Sequence, residues 1–310
     1  MLPAVITFDK LNAAGNDFIC LDNSAGAYDA LLADGGVAPF ARHVCRRGLS
    51  VGADGLIFCS RLDGLPGAEL VARFFEPDGS EAKLCGNGTA CVTYWAVEVG
   101  FVPGPDVSIL TLAGAAQGRA EPGDARLVRV CIPDPKGMRQ DLRLAAAGRD
   151  FVVHALDTGV PHAVVYLESG LHDFDVDRYG KAIRSHPLFA PDGINANFVE
   201  VLSAGHIAVR TFEFGVEAET LACGTGSAAA AIVSALRCGW NAEYRTRVKP
   251  VTVRVRSGAE LRVWFDATDP NAVGRVCLDT RVTPVYRGEL TGDLREELLA
   301  DIRRTEVEAR

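Results

Sequence analysis

The sequence predicts an α+β chain of two pseudo-symmetric domains, each a curved, mostly antiparallel sheet wrapped around a central helix. Three observations carry that expectation. Cys85-Gly86-Asn87-Gly88 and Cys223-Gly224-Thr225-Gly226 each open a helical segment. The stretch before each also repeats: Val71-Ala72-Arg73-Phe74-Phe75-Glu76 precedes the first, and Ala208-Val209-Arg210-Thr211-Phe212-Glu213 the second. Arg, Phe and Glu are in register, with a one-residue insertion before the second cysteine. The helical segments themselves, residues 89–99 and 227–237, are apolar or small on nearly every side, the mark of a helix enclosed by protein. Apolar pattern, acidic residue, cysteine loop and helix thus recur in one order, a duplication of domain size and not a solenoid of short units.

The elements follow in order. Residues 4–8 read as a strand, then 19–22, 55–59, 68–75, 108–112, 127–132, 151–156, 163–167, 198–201, 207–212, 251–256, 261–265 and 275–282. Several alternate apolar and polar residues, as in Val251-Thr252-Val253-Arg254-Val255-Arg256, the pattern of a half-buried antiparallel strand. Helices are expected over 38–46, 89–99, 176–186, 227–237 and from 293 onward. Gly100 and Gly239 stand where a left-handed residue closes a helix. The Pro- and Gly-bearing span 133–148 is the natural connection between halves. The expected domains are 1–140, completed by 283–310, and 141–282. Residues after Thr291 read as an amphipathic appendage.

Bulk properties narrow the function. A chain of 310 residues, 48% hydrophobic and 23% charged, is an ordinary globular composition with room for two cores. A net charge of −8 argues against nucleic acid and anionic membranes as partners, and points to a small molecule. A homodimer is left open. No leader or spanning stretch is read, so a cytoplasmic location is expected. Nine cysteines without C-x-x-C spacing indicate neither a zinc knuckle nor a disulfide scaffold, so most are expected to be small buried hydrophobes and no metal is expected. Cys85 and Cys223 are the exceptions. A helix start offers unpaired N–H groups and a partial positive charge, which can hold a carboxylate and favour a neighbouring thiolate.

Here the residues resemble the diaminopimelate epimerase family. The matching blocks are 8–18 (Phe8 to Phe18), Gly52-Ala53-Asp54-Gly55, Asp78-Gly79-Ser80-Glu81, Cys85-Gly86-Asn87-Gly88, Pro161-His162-Ala163-Val164, Asn195-Ala196-Asn197-Phe198, Glu213, and Glu219 through Gly226. The resemblance runs from Thr7 to about Leu290. It implies two similar domains with substrate in the cleft between them, no pyridoxal phosphate or other cofactor, and an amino-acid substrate. It also implies inversion at the α-carbon, in which one cysteine as thiolate removes the proton and the other as thiol returns one. Cys85 and Cys223 match the catalytic pair. Asn16, Asn195, Gly86, Asn87, Gly224 and Thr225 match positions that hold the reacting end or line the cleft, and His162 and Glu213 match polar residues near the thiols. His162 as a histidine capping a turn after Pro161 is the plain alternative. Asp54 and Asp78 read as loop-holding residues, since Asp beside Gly is common turn chemistry.

Three positions depart from the family pattern. Glu76 stands for its Asn, Val160 for the Asn before Pro-His, and Phe214 for the Arg after the glutamate. The family residues recognise the distal groups of diaminopimelate. Loss of the Arg leaves a buried carboxylate unpaired, at a cost of roughly several kcal/mol. Glu76 and Phe214 would suit a cationic or aromatic side chain, such as that of lysine, ornithine, arginine or histidine. Competing readings are a true diaminopimelate epimerase, a proline-racemase-like isomerase, a cysteine hydrolase with His162 as base, and an amino-acid-binding protein without chemistry.

Overall fold

The computed structural model describes residues 2–33, 36–62, 69–269 and 272–308, with side chains as far as residue 304. It divides into two compact units, Met1–Val128 with Arg281–Arg310, and Arg129–Thr280. The first holds β1 (Thr7–Ala13), β2 (Asn16–Asp22), α1 (Asp29–Ala33), α2 (Val37–Val44), β3 (Gly55–Arg61), β4 (Leu70–Phe75), β5 (Glu81–Ala82), α3 (Gly86–Glu98), β6 (Asp106–Thr111), β7 (Gly114–Glu121) and the start of β8 (Asp124–Cys131). The second holds β9 (Lys136–Ala146), β10 (Arg149–Asp157), β11 (Pro161–Leu167), α4 (Val176–Arg184), β12 (Asn195–Ser203), β13 (His206–Glu213), β14 (Ala218–Thr220), α5 (Gly224–Arg237), β15 (Val251–Arg254) and β16 (Glu260–Asp266). The long β17 (Gly274–Glu289) returns the chain to the first unit, which α6 (Gly292–Glu308) closes.

Strand pairing shows the duplication directly. In the first unit β1 is antiparallel to β2, β2 parallel to β3, β3 antiparallel to β4, and β4 antiparallel to β5 and parallel to β6, which pairs antiparallel with β7. In the second unit β10, β11, β12, β13, β14, β15 and β16 repeat those six relations in the same order. The β2/β3 and β11/β12 parallel pairs are bridged through α2 and α4, and the β4/β6 and β13/β15 pairs through α3 and α5, since a parallel connection needs a crossover. Phe18 opposite Gly55 and His162 opposite Asn195 begin the equivalent parallel ladders.

Both cores sit between sheet and helices. Tyr28, Phe40, Phe58 and Phe75 form an aromatic cluster in the first, with ring centroids 5.3 to 6.3 Å apart. Phe151, Ile183, Phe198 and Phe212 lie in the second. α3 packs against β1, β2, β3, β6 and β7, and α5 against β10 to β13, β15 and β16, so each helix is enclosed by its own unit's strands. Ala228, Ala229, Ala230 and Ala231 are fully buried, which explains why no polar stripe interrupts that segment. Gly100 and Gly239 take φ of 67° and 64° just past the two helices, the left-handed exit that a side chain disfavours.

Four expectations need adjustment. Most of the 133–148 span is not a connection but β9, an eleven-residue strand paired to β10; Pro133, Pro135 and Gly137 give its start the look of a linker, while Leu142, Leu144 and Ala146 alternate toward the core. The strand expected over 4–8 is centred later, on β1, and residue 68 of another expected strand lies outside the described residues. α6 is more than an appendage: Leu298 is fully buried in the first core, His43 Nδ1 lies 3.0 Å from Asp301, and Arg295 donates to Pro3 O at 2.9 Å. Finally, Cys131 and Cys277 are joined by a disulfide, while seven cysteines are free. Their pairing across β8 and β17 has no local sequence signal. Among the described residues no helix is long and apolar enough to cross a membrane.

Candidate active site

The two cysteine loops are built alike. Cys85 is the N-cap of α3, in extended conformation at φ −130°, ψ 118°, and its Sγ accepts the Gly88 N–H at 3.4 Å. Cys223 is the N-cap of α5 at φ −124°, ψ 111°, and its Sγ accepts the Gly226 N–H, also at 3.4 Å. In each case sulfur replaces the oxygen that usually caps a helix. The N–H groups of Gly86 and Asn87, and of Gly224 and Thr225, fall in the first turn, where no intrahelical acceptor exists. Two local anion sites result, each beside a thiol.

An ion pair holds the strand leading into each loop. Arg73 on β4 grips Glu81 on β5 with Nε–Oε1 at 2.8 Å and Nη2–Oε2 at 2.7 Å. Arg210 on β13 grips Glu219 on β14 at 2.6 and 2.7 Å. These bidentate pairs explain why Arg recurs in register in the sequence.

In the first unit the polar support runs from charge to amide. Lys10 Nζ lies 2.7 Å from Asp17, and Arg47 bridges Asp17 and Asp54. Burial works to raise the Asp17 carboxyl, but hydrogen bonds from Arg47 and Lys10 hold it below its ordinary value. Asp54 Oδ2 accepts from Asn16 Nδ2 at 3.0 Å, and Asn16 Oδ1 accepts from Asn87 Nδ2 at 3.0 Å. Asp54 therefore does hold a loop, and it also orients Asn16. Both ends of the Asn16 amide are engaged by protein, and its oxygen fixes Asn87. Lys10, Asp17 and Arg47 were not singled out by sequence reasoning; a buried lysine beside an Asp is visible only once β1 and β2 pair.

In the second unit the support around His162 is neutral, and Glu213 supplies the charge beside the thiol. His162, fully buried, places Nε2 2.9 Å from Thr225 Oγ1 and Nδ1 3.2 Å from Asn197 Nδ2. Burial drops its pKa to about 3, so the ring is uncharged at neutral pH. Thr225 Oγ1 lies 3.5 Å from Cys223 Sγ. Glu213, at the end of β13, hydrogen-bonds Thr220 Oγ1 and also the Cys223 thiol. Burial raises the Glu213 carboxyl, partly offset by those two bonds. Burial likewise pushes the Cys223 thiol well above its ordinary value, and the Glu213 charge pushes it further, against smaller help from Thr225 and the Gly226 N–H. The helix-start field expected to favour a thiolate is thus outweighed at Cys223 by desolvation. Glu213→Gln removes the opposing charge, and the midpoint for alkylation of Cys223 is expected to fall to lower pH, read by peptide mass spectrometry after timed iodoacetamide treatment.

Asn195 is buried, donates from Nδ2 to Pro161 O at 3.2 Å and accepts the Phe214 N–H at 2.8 Å. It fixes the turn that carries Phe214. Phe214 is 41% exposed, and the Arg184 guanidinium stands 5.2 Å from its ring centroid. Arg184 is itself paired, Nε to Glu217 Oε1 at 2.8 Å. Val160 is 37% exposed in the turn before β11. Glu76 is exposed, in a turn closed by its N–H to Ser80 O at 2.9 Å.

The family profile of diaminopimelate epimerase matches residues 8–130 and 154–273. The chain is similar to the diaminopimelate epimerase of Aquifex aeolicus, at 38% identity over 291 residues, 93% of this chain and 99% of that one. In fold it is similar to a phenazine biosynthesis protein of the PhzF family from Bacillus anthracis, with a TM-score of 0.69 at 16% identity over 93% of this chain and 100% of the other. A probable proline racemase from Agrobacterium radiobacter K84 aligns with a TM-score of 0.66, also at 16% identity, over 93% of both chains.

Proposed function

This chain belongs to the diaminopimelate epimerase family, and from that premise we propose that it inverts the α-carbon of an amino acid with Cys85 and Cys223 as its two acid–base groups. It is an isomerase, a racemase or epimerase of the kind that works without pyridoxal phosphate. The observation that carries the assignment of the two thiols is their shared geometry. Both cap an enclosed helix in the same conformation, with sulfur 3.4 Å from the third N–H that follows.

In this reading the N–H groups of Gly86, Asn87, Gly224 and Thr225 receive the substrate carboxylate. As the α-proton leaves, charge flows onto that carboxylate, and the same donors stabilise it more strongly than they do the ground state. Cys223, held protonated by burial and Glu213, is the acid of the resting enzyme. The partly buried Cys85 is the base. After one inversion the roles are exchanged. A hydrolase with His162 as base is disfavoured, because His162 reaches Cys223 only through Thr225.

For the side chain, the reading is a cationic or aromatic amino acid. The guanidinium over Phe214 is already neutralised by Glu217, so it offers no surplus charge to a distal carboxylate. The second reading is diaminopimelate itself, favoured by the 38% identity across nearly the whole Aquifex aeolicus enzyme. Incubation in deuterated water with lysine, ornithine, arginine, histidine and LL-diaminopimelate decides. We expect α-deuteration and loss of optical rotation with one of the first four at least tenfold faster than with diaminopimelate, on the scale of a lost ion pair. Rapid turnover of diaminopimelate alone would overturn the assignment of side chain and leave the two-thiol chemistry standing.

A further inference from the structure

The amide of Asn197 can be oriented without ambiguity. One of its terminal atoms lies 2.9 Å from Ala163 O, and a carbonyl only accepts, so that atom is the nitrogen. Its oxygen then accepts from the Thr211 hydroxyl at 2.9 Å. The second N–H of the same nitrogen is aimed at His162 Nδ1, 3.2 Å away. A neutral ring that accepts at Nδ1 carries its proton on Nε2. Nε2–H therefore donates to Thr225 Oγ1, and the Thr225 hydroxyl is left to donate onward to Cys223 Sγ. Each group in this line has one direction open to it.

We propose that Asn197 is a positioning residue of the isomerase: by holding His162 as the Nε2–H tautomer it turns the Thr225 hydroxyl toward Cys223, so that the sulfur keeps a donor when it gives up its proton. Two further features agree. Gly226 has no side chain where one would stand 2.2 Å from Asn197 Oδ1, so the helix start is shaped around that amide. The repeat also makes the device specific to this thiol. At the matching ladder positions of the first unit stand Phe18 for His162 and Ile57 for Asn197, and Asn87 is held by Asn16 instead. The arrangement gives buried Cys223 the means to be a base in the reverse half of the cycle, with Glu213 the charged group bearing on it and burial the influence acting on His162.

The inference rests on the two-thiol reading, but its test does not require turnover. Nitrogen-15 spectra of histidine-labelled full-length protein, with the His162 signal assigned through His162→Gln, read the tautomer directly. The expected result is a protonated Nε2 and bare Nδ1 at neutral pH, and a protonated Nδ1 in Asn197→Asp, whose carboxylate can only accept. A protonated Nδ1 in the parent, or an unchanged ring in Asn197→Asp, overturns the proposal. Should Asn197→Asp not fold, Thr225 carries the test. In a Cys85→Ser background, Thr225→Val is expected to slow alkylation of Cys223 about tenfold, the scale of one hydrogen bond to a charged group, and Thr225→Ser to restore it. Equal rates in all three overturn the relay, whatever substrate the enzyme proves to use.

Discussion

Cys223→Ser and Cys85→Ser are each expected to reduce inversion by about a thousandfold or more while leaving the fold in place. Serine is among the best N-caps, so its oxygen can take the Gly226 or Gly88 N–H that sulfur now accepts, and the helices keep their starts. A hydroxyl is far too weak an acid to shuttle a proton at neutral pH, and a positioned acid or base contributes about 10²- to 10⁴-fold. The two variants should fall alike, because inversion needs a proton removed on one face and returned on the other. Polarimetric rates beside thermal melts make the check. A variant that retains near-parental inversion with an unaltered melt removes its cysteine from the chemistry, and survival of activity in Cys85→Ser alone would favour a single-thiol mechanism.

Gly226→Ala should be the most damaging single methyl group in the second unit's site. Its Cβ would lie 2.2 Å from Asn197 Oδ1 and 3.2 Å from Cys223 Sγ. Asn197 cannot step aside, since its amide is tied to Ala163, Thr211 and His162. Overpacking of this kind costs about 1–3 kcal/mol, and a sulfur displaced by about 1 Å loses on the order of 100-fold in rate. Gly86→Ala is the control for stability, because an added Cβ there meets nothing within 4 Å. Denaturant titration of both variants tests the contrast: comparable loss of stability, or a Gly226→Ala protein as stable as the parent, refutes the packing argument.

What was readable in the sequence was local. A glycine-flanked cysteine followed by a run of small apolar residues announces a capped, enclosed helix, and the arginines that hold its approach, Arg73 and Arg210, recur in register, while their partners Glu81 and Glu219 emerge only in the structure. The duplication was legible for the same reason, since it copies neighbouring residues in order. What escaped notice lies across the sheet. Asn197 meets His162 through the parallel ladder between β11 and β12, with α4 in between, and nothing near either residue names the other. Asn16 and Asn195 were read as substrate contacts, and the structure shows how each is held by its protein neighbours, which no motif conveys. β9 was missed because Pro133, Pro135 and Gly137 at its approach read as a linker, although Leu142, Leu144 and Ala146 alternate toward the core.

The bond between Cys131 and Cys277 has a topological result. It spans 146 positions, and those positions make up nearly all of Arg129–Thr280. The polypeptide therefore carries a covalent ring with a tail on either side, closed just beyond the points where it leaves and rejoins the first unit. A protease that nicks this ring once will release no fragment on a gel until a reductant is added, and even the denatured chain will travel as a contracted species.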